Sequence, residues 1–256
     1  MPEPKIVLWD IETTHNLVAV FKLFGEDYIS PDNLLQERYI VCAAWKDLGK
    51  TAVSAVSTLD DPKRFAKDPH DDYHVVKTLH AVLSDADVII AHNGDKYDIK
   101  FTEGRMLFHG LSPLPPIVKI DTLKVAKDRF LFNSNKLDYL GSFLKVGRKK
   151  PTTGGLWLRV LQGDKAAVKE MVTYNKQDVE LLERVFEKLR PYVANHISRQ
   201  LFGQTTGCPR CGSVKVQSRG THRATTRVYQ RFQCQGCGGW FRNLKAESKS
   251  TSLRVL

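Results

Sequence analysis

What most limits the folds open to this chain is a short apolar run near its start that ends in two acids. Ile6, Val7, Leu8 and Trp9 lead directly into Asp10, Ile11 and Glu12. Lys5–Glu12 reads as a buried strand, and the period of two along a strand puts Asp10 and Glu12 on one face. Two neighbouring carboxylates in an otherwise apolar strand are costly unless a cation neutralises them. A divalent metal is the natural counter-ion, because hard cations favour carboxylate oxygen. From these residues alone, a strand end opening into solvent remains an equal reading.

Further along, Thr13 to Glu37 is a long segment of mixed character with aromatics at Phe21, Phe24 and Tyr28. Connections of that length are usually functional or partly helical. Strands are expected at Arg38–Lys46 and Thr51–Ser57, close enough to form an antiparallel pair. Asp72–Leu83 has helical apolar spacing, Asp87–Ala91 is a short apolar strand, and Asp95–Phe108 reads as a helix. Pro113, Pro115 and Pro116 precede a strand at Ile117–Ile120, followed by short helices at Asp121–Arg129 and Lys136–Leu144. The loop Lys145–Leu156 is basic and Gly-rich and is expected to be mobile. Helical patterns then run from Asp164 to Leu189 and from Tyr192 to Leu201. Strands first, then strands alternating with helices, predict an α/β domain with a mixed sheet flanked by helices.

Two more acidic positions stand out. Ala91-His92-Asn93-Gly94-Asp95-Lys96-Tyr97-Asp98 follows an apolar strand and opens a helix. Asn93-Gly94 supplies the turn. Asp95, directly after it, reads as the helix N-cap, and Asp98 falls in the first turn near the sheet edge. On the long helix, Tyr174 and Asp178 are four residues apart and share a face with Met171, Leu181, Leu182 and Val185. A phenol and a carboxylate on that apolar stripe need partners. A capping cluster at the first site, and a Tyr174–Asp178 hydrogen bond in the core at the second, remain open for each segment taken alone.

Taken together, Asp-x-Glu on the first strand, Asn-Gly-x-x-Tyr-Asp after a later strand and Tyr-x-x-x-Asp on a late helix resemble the three motifs of DEDD-type 3′–5′ exonucleases. The second motif is similar to that of the proofreading exonuclease domains of family B DNA polymerases. Tyr174 in place of His corresponds to the DEDDy branch. The resemblance covers roughly residues 4–190 and includes Ile120-Asp121-Thr122-Leu123 and Lys136-Leu137-Asp138-Tyr139-Leu140. It implies a ribonuclease-H-like fold in which Asp10, Glu12, Asp98 and Asp178 hold two Mg²⁺ or Mn²⁺ ions. It also implies that Tyr174 orients the attacking water and that Asn93 and the backbone around Thr13 position the terminal nucleotide. Asp121 is expected to be a helix N-cap. No polymerase domain is expected after these motifs, so any service to a polymerase is expected to be in trans.

The back of the chain differs in charge. From Pro191 onward there are 11 Lys/Arg and a single acid, Glu247, so this stretch holds nearly all of the formal net charge of +11. Such asymmetry points to a polyanion, most simply nucleic acid, with a solvated cationic tail as the alternative. Cys42 lies alone in an apolar run and reads as a small core residue. Cys208-Pro209-Arg210-Cys211-Gly212 and Cys234-Gln235-Gly236-Cys237-Gly238 resemble the knuckles of a zinc ribbon. Four thiolates close the coordination shell, so this zinc is expected to be structural, with iron the main rival. Between the knuckles, Arg219, Arg223, Arg227 and Arg231 interleave with His222, Tyr229 and Phe232, a mixture suited to phosphates and bases. Tyr229, Phe232 and above all Trp240 could instead pack the ribbon's small core.

The expected division is an exonuclease domain over 1–203, a zinc ribbon over 204–245 and a flexible basic tail over 246–256. The expected activity is metal-dependent 3′–5′ hydrolysis of DNA, preferentially single-stranded. The alternatives are an RNA exonuclease, a structure-specific endonuclease, or a catalytically silent nucleic-acid-binding module. A replication or repair protein is a further candidate partner for the ribbon. An apolar fraction of 42% with no long apolar run, and no secretory layout at the start, lead to the expectation of an intracellular protein without membrane spans.

Overall fold

A computed structural model describes residues 3–22, 28–194, 196–203 and 206–249. Phe24 of the long early segment, and the end of the tail, lie outside the described residues. At the centre is a five-stranded sheet. Its first strand is β1 (Ile6–Thr13). A two-stranded pair, β2 (Leu17–Val18) with β3 (Leu34–Gln36), fills part of the segment before β4 (Ile40–Asp47) and β5 (Ser54–Ser57). Helices α1 (Pro62–Lys67) and α2 (Tyr73–Ser84) precede β6 (Val88–Ala91). Then come α3 (Asp98–Phe108), β7 (Val118–Asp121) and α4 (Thr122–Arg129). Three more helices, α5 (Leu137–Phe143), α6 (Leu156–Leu161) and the long α7 (Lys165–Leu189), complete this part. The strand order is β5-β4-β1-β6-β7, with β4 antiparallel to β1 and β5, and β6 parallel to β1 and β7.

Alternation along β1 decides where everything packs. Val7, Trp9 and Ile11 belong to one core, shared with Val75, Val76 and Leu79 of α2 and Ile99 and Met106 of α3. Ile6 and Leu8 belong to another, shared with Leu181, Leu182, Val185 and Phe186 of α7. Period two therefore carries Asp10 and Glu12 to the α7 side. Their partners across the β1–β4 ladder are Ala44 and Cys42, both small and fully buried, which leaves room for carboxylates. Cys42 is a core residue, as its setting implied.

Several elements differ from the sequence reading. The helix expected from Asp95 starts at Asp98, and its N-cap position is Tyr97, not Asp95. The cause is Asp121, which takes the N–H groups of Asn93 and Asp95 and holds 93–97 as a separate turn. Asn93 occupies the left-handed region at φ 72°, which Asn tolerates better than most residues. The helix expected over Tyr192–Leu201 is two short 3₁₀ turns, Arg190–Tyr192 and Arg199–Phe202. Pro191 lacks an N–H for α7 to continue through, and the segment after it buries Val193 completely.

The cysteine-rich end forms a four-stranded antiparallel sheet of β8 (Val216–Arg223), β9 (Arg227–Cys234), β10 (Trp240–Arg242) and β11 (Ser248–Lys249). The tail expected to be free from residue 246 is thus partly ordered, because Ser248 and Lys249 pair with Val228 and Arg227. Trp240 does not pack the ribbon's core either: it is 46% exposed, while Tyr229 is 6% exposed and Phe232 stacks on Phe241. On β9, Tyr229 and Phe232 face opposite ways, so a sheet with few apolar side chains gives each aromatic a different fate.

Candidate active site

One strand and one helix build the acidic centre. Carboxylate oxygens of Asp10, Glu12 and Asp178 lie within 4.8 Å of one another. Asp178 is 2% exposed, and its Oδ1 has no hydrogen-bond partner among the described residues. An orphaned buried carboxylate oxygen inside an acid cluster is what an oxygen-coordinated cation would satisfy. Asp98, at the start of α3, stands outside that trio, yet its charge is the strongest of those acting on Asp10. The donor set is all oxygen, so these residues fit Mg²⁺ or Mn²⁺.

The electrostatics record the crowding. Burial, reinforced by Asp98, Glu12 and Asp178, pushes Asp10 well above the usual carboxylate range. Burial and then Asp178 raise Glu12 to about 8. Asp98 is raised to about 6, again chiefly by burial, although the backbone N–H groups of Asp98 and Ile11 pull it back. Burial also raises Asp178, against the opposing pull of Lys149. Tyr174 is raised to about 12 by burial and by Asp178.

The sequence reading missed two side chains at this centre. Lys149 donates from Nζ to Asp178 Oδ2 at 2.5 Å and to the Tyr174 hydroxyl at 3.2 Å. Burial disfavours its charge, but Asp178 more than compensates, and it remains protonated. The loop 145–156, expected to be mobile, is therefore anchored at this point. Its backbone adds a second tie, from the Lys149 N–H to Asp138 at 2.7 Å. The approach needs Gly141, where a Cβ would meet the Gly147 carbonyl at 2.6 Å and Leu181 at 2.8 Å. The other missed residue is Asn175, fully buried, whose Nδ2 donates to Asp10 Oδ2 at 2.7 Å. It sits between Met171 and Asp178 on the helical stripe, which is a signal the sequence offered. Tyr174 bonds Lys149, which bridges it to Asp178.

Cavities flank the acids. One of about 360 Å³ is lined by Glu12, Thr13, Arg38, Tyr97 and Trp157, among others. Thr13 Oγ1 and the Tyr97 hydroxyl share a hydrogen bond of 2.7 Å, and Arg38 lies over the Tyr97 ring. The other, of about 570 Å³, is lined by Asn93, His92, Lys127, Lys136 and Lys149. Thr13 and Asn93, expected to serve one nucleotide, thus line different cavities. Asp121 caps α4 through the N–H groups of Leu123 and Lys124 while holding the Asn93 turn.

A family model, the RNase_H superfamily, matches residues 51–190, more than half of the chain. The chain belongs to the RNase H superfamily. The matched span includes Asp98, Lys149, Tyr174 and Asp178 of this RNase H-like domain but begins after Asp10 and Glu12. Among solved structures, the family B DNA polymerase from the hyperthermophilic archaeon Pyrobaculum calidifontis is similar in fold, with a TM-score of 0.52 and 14% identity. That match covers 88% of this chain and 32% of the polymerase, so the chain spans about a third of that protein. No curated protein matches in sequence. No described helix is long and apolar enough to cross a membrane.

The second metal-type cluster is Cys208, Cys211, Cys234 and Cys237, whose sulfurs all lie within 4.8 Å of one another. Cys208 and Cys237 are separated by 3.8 Å and Cys211 and Cys234 by 3.6 Å. A tetrahedron with metal–sulfur bonds of about 2.3 Å has edges of about 3.8 Å, whereas a disulfide is about 2.05 Å long. The cluster therefore fits zinc and consists of free thiols. Gly212 and Gly238 follow their cysteine pairs at φ 80° and 75°, and the N–H groups of Gly236 and Cys237 point to Cys234 Sγ. Of the arginines singled out between the knuckles, Arg219, Arg223 and Arg227 are exposed on the β8–β9 hairpin. Arg231 is half-buried and donates to the Arg219 carbonyl.

The raised acids set a stability test for the metal-free protein. Glu12 keeps its proton to about pH 8 in the folded chain but releases it near 4.5 when unfolded. The folded state therefore binds more protons between those values, and stability falls as pH rises through the window. Thermal melts without metal should show this decline, and Mg²⁺ should flatten it by binding the deprotonated acids. A metal-free protein that instead gains stability from about pH 5 to 8 would contradict the crowding described for Glu12.

Proposed function

We propose that the chain is a metal-dependent 3′–5′ exonuclease of the DEDDy type, releasing nucleoside monophosphates from single-stranded DNA. One observation carries this reading: Asp10, Glu12 and Asp178 converge within 4.8 Å, beside Asp98 and one helical turn from Tyr174. Membership in the RNase H superfamily supports phosphodiester hydrolysis. The choice of DNA rests on the resemblance of Asn93-Gly94 to Asp98 to the proofreading motif. The fold likeness to a family B DNA polymerase agrees with it.

In this reading Asp10, Glu12, Asp98 and Asp178 hold two Mg²⁺ or Mn²⁺ ions. When bound, such ions supply Lewis-acid neutralisation of the phosphate and make water a better nucleophile at neutral pH. Water adds to the terminal phosphorus, the bond from phosphorus to the 3′ oxygen breaks, and the shortened strand leaves with a 3′-hydroxyl. Tyr174, raised to about 12, stays protonated and orients the water instead of removing its proton. Before metal enters, Lys149 holds Asp178 and Tyr174 in register. Asn175 fixes the Asp10 carboxylate. The cavity with Thr13, Tyr97 and Arg38 receives the terminal nucleotide, and Asn93 approaches from the other side. The working division is an exonuclease domain over 1–203 and a ribbon over 204–245 held by one structural zinc.

Digestion of 3′- and 5′-labelled DNA and RNA, single- and double-stranded, with Mg²⁺ or Mn²⁺ tests this directly. Metal-dependent mononucleotide release from the 3′ end of single-stranded DNA is expected. Release from the 5′ end, internal cuts only, or no metal-dependent products would refute it. Faster digestion of RNA would move the substrate and keep the chemistry. Tyr174→Phe should slow turnover roughly 10- to 100-fold, about 1.4–2.7 kcal/mol, with metal affinity unchanged. An equal loss of metal binding would give Tyr174 a different role.

A further inference from the structure

Between the RNase H-like domain and the cysteine-rich sheet lies a cavity of about 520 Å³ that the acidic centre does not use. Arg129, Lys188 and Arg210 line it together with Tyr192 and Trp240, and no carboxylate does. Arg129 and Lys188 are exposed, and neither has a carboxylate partner among the described residues. Tyr192 and Trp240 are 48% and 46% exposed, high values for large aromatics. Arg210 is held in place by donating from Nη1 to the Pro191 carbonyl at 2.5 Å. A second backbone tie, from the Arg199 N–H to the Pro209 carbonyl, fastens the two parts here.

The sheet extends the same chemistry. Trp240 pairs with Gln233 and Arg242 with Arg231 along β10 and β9, so these four side chains share a face with Tyr229. Arg231 lies over the Trp240 ring at 4.9 Å, and Arg242 over the Tyr229 ring at 3.5 Å. That face, with its exposed indole, runs into the cavity through Gln233 and Trp240.

We infer that this cleft is a binding site for single-stranded nucleic acid, in which Arg129, Lys188 and Arg210 meet phosphates while Trp240 and Tyr192 stack on bases. Cations that follow a backbone beside exposed aromatic rings are the chemistry of strand binding without sequence preference. An acidic peptide would use the cations but leave the two rings without a purpose. The positive potential also registers on His196 nearby, lowered to about 4 by burial and then by Arg190, Arg210 and Arg199. The inference rests on the exonuclease reading for its biological sense. Its substance is that the two parts of the chain grip the strand jointly, away from the reacting end.

Binding of labelled oligothymidylate and oligouridylate to the full zinc-loaded chain, without Mg²⁺ or Mn²⁺, tests this separately from hydrolysis. Trp240→Ala should weaken binding of a long oligonucleotide about tenfold. The pair Arg129→Gln and Lys188→Gln should weaken it as much, and should make the slope of log K against log salt shallower by about 1.4, or about 0.7 per phosphate contact. The pair Lys63→Gln and Lys67→Gln, exposed on α1, removes the same charge and should change neither quantity. Cleavage of a dinucleotide, if the wild-type chain cleaves it, should be unaffected by all of these changes. Wild-type affinity and slope in the cleft variants, or a loss no greater than in the α1 pair, would overturn the inference. So would polyglutamate that binds wild-type protein as tightly as the oligonucleotide and loses affinity equally in the variants. A wild-type chain that binds as expected but never hydrolyses would sink the enzyme reading and leave the cleft standing.

Discussion

Asp10→Asn is expected to cut nucleotide release about a thousandfold, a loss of roughly 4 kcal/mol, while making the metal-free protein more stable. Both effects come from the same charges. Asp10 is pressed upon by Asp98, Glu12 and Asp178 as well as by burial, so its carboxylate is useful only when a cation shares the cluster. Asn keeps the shape and can still accept from Asn175 Nδ2, so neither a cavity nor a broken hydrogen bond confuses the result. At pH 8 and without metal, removing an acid whose ionised form the fold disfavours should raise stability by about 1 kcal/mol, roughly 2–4 °C in melting temperature. Mg²⁺ should then stabilise the variant far less than the wild type. An active Asp10→Asn protein, or one that melts well below the wild type, would show that Asp10 is structural.

Cys234→Ser should have the largest structural effect. Cys234 is 1% exposed, faces Cys211 at 3.6 Å and receives the N–H groups of Gly236 and Cys237. The sheet it belongs to has little apolar packing beyond Tyr229 and the Phe232–Phe241 stack. A unit of this size lacks the core to fold alone, whereas a structural zinc contributes about 10–16 kcal/mol of apparent binding energy. Hydrogen exchange should therefore show protection lost over β8–β11 and kept over α7, with zinc content falling to zero. Long-strand binding should fall with it. Protection of β9 that survives in zinc-free protein would mean that the thiols are incidental to the sheet.

Much of the acidic centre was legible because it depends on local period. Two-residue spacing in Ile6–Glu12 and four-residue spacing from Tyr174 to Asp178 each assign a face, and the sheet and α7 then press those faces together. The cysteine knuckles were legible for a similar reason, since spacing and the following glycine fix the local turn. Lys149 was not legible. Its place depends on an ion pair 29 residues away and on a backbone tie to Asp138, and a basic Gly-rich run looks the same docked or free. The start of α3 was not legible either, because Asp121, 28 residues from Asn93, claims the N–H groups that a local cap would have taken. Trp240 shows the limit most clearly. Aromatic residues in a small unit usually fill its core, and this one instead faces a cleft that exists only because another part of the chain forms the opposite wall.

Anomalous scattering from crystals soaked in Mn²⁺ examines the foundation of all this in one step. Manganese is expected among the carboxylates of Asp10, Glu12 and Asp178, with Asp178 Oδ1 as a ligand and Lys149 drawn back from Oδ2. Saturating Mn²⁺ that leaves the cluster empty, with Lys149 still seated on Asp178, would contradict the account at its root.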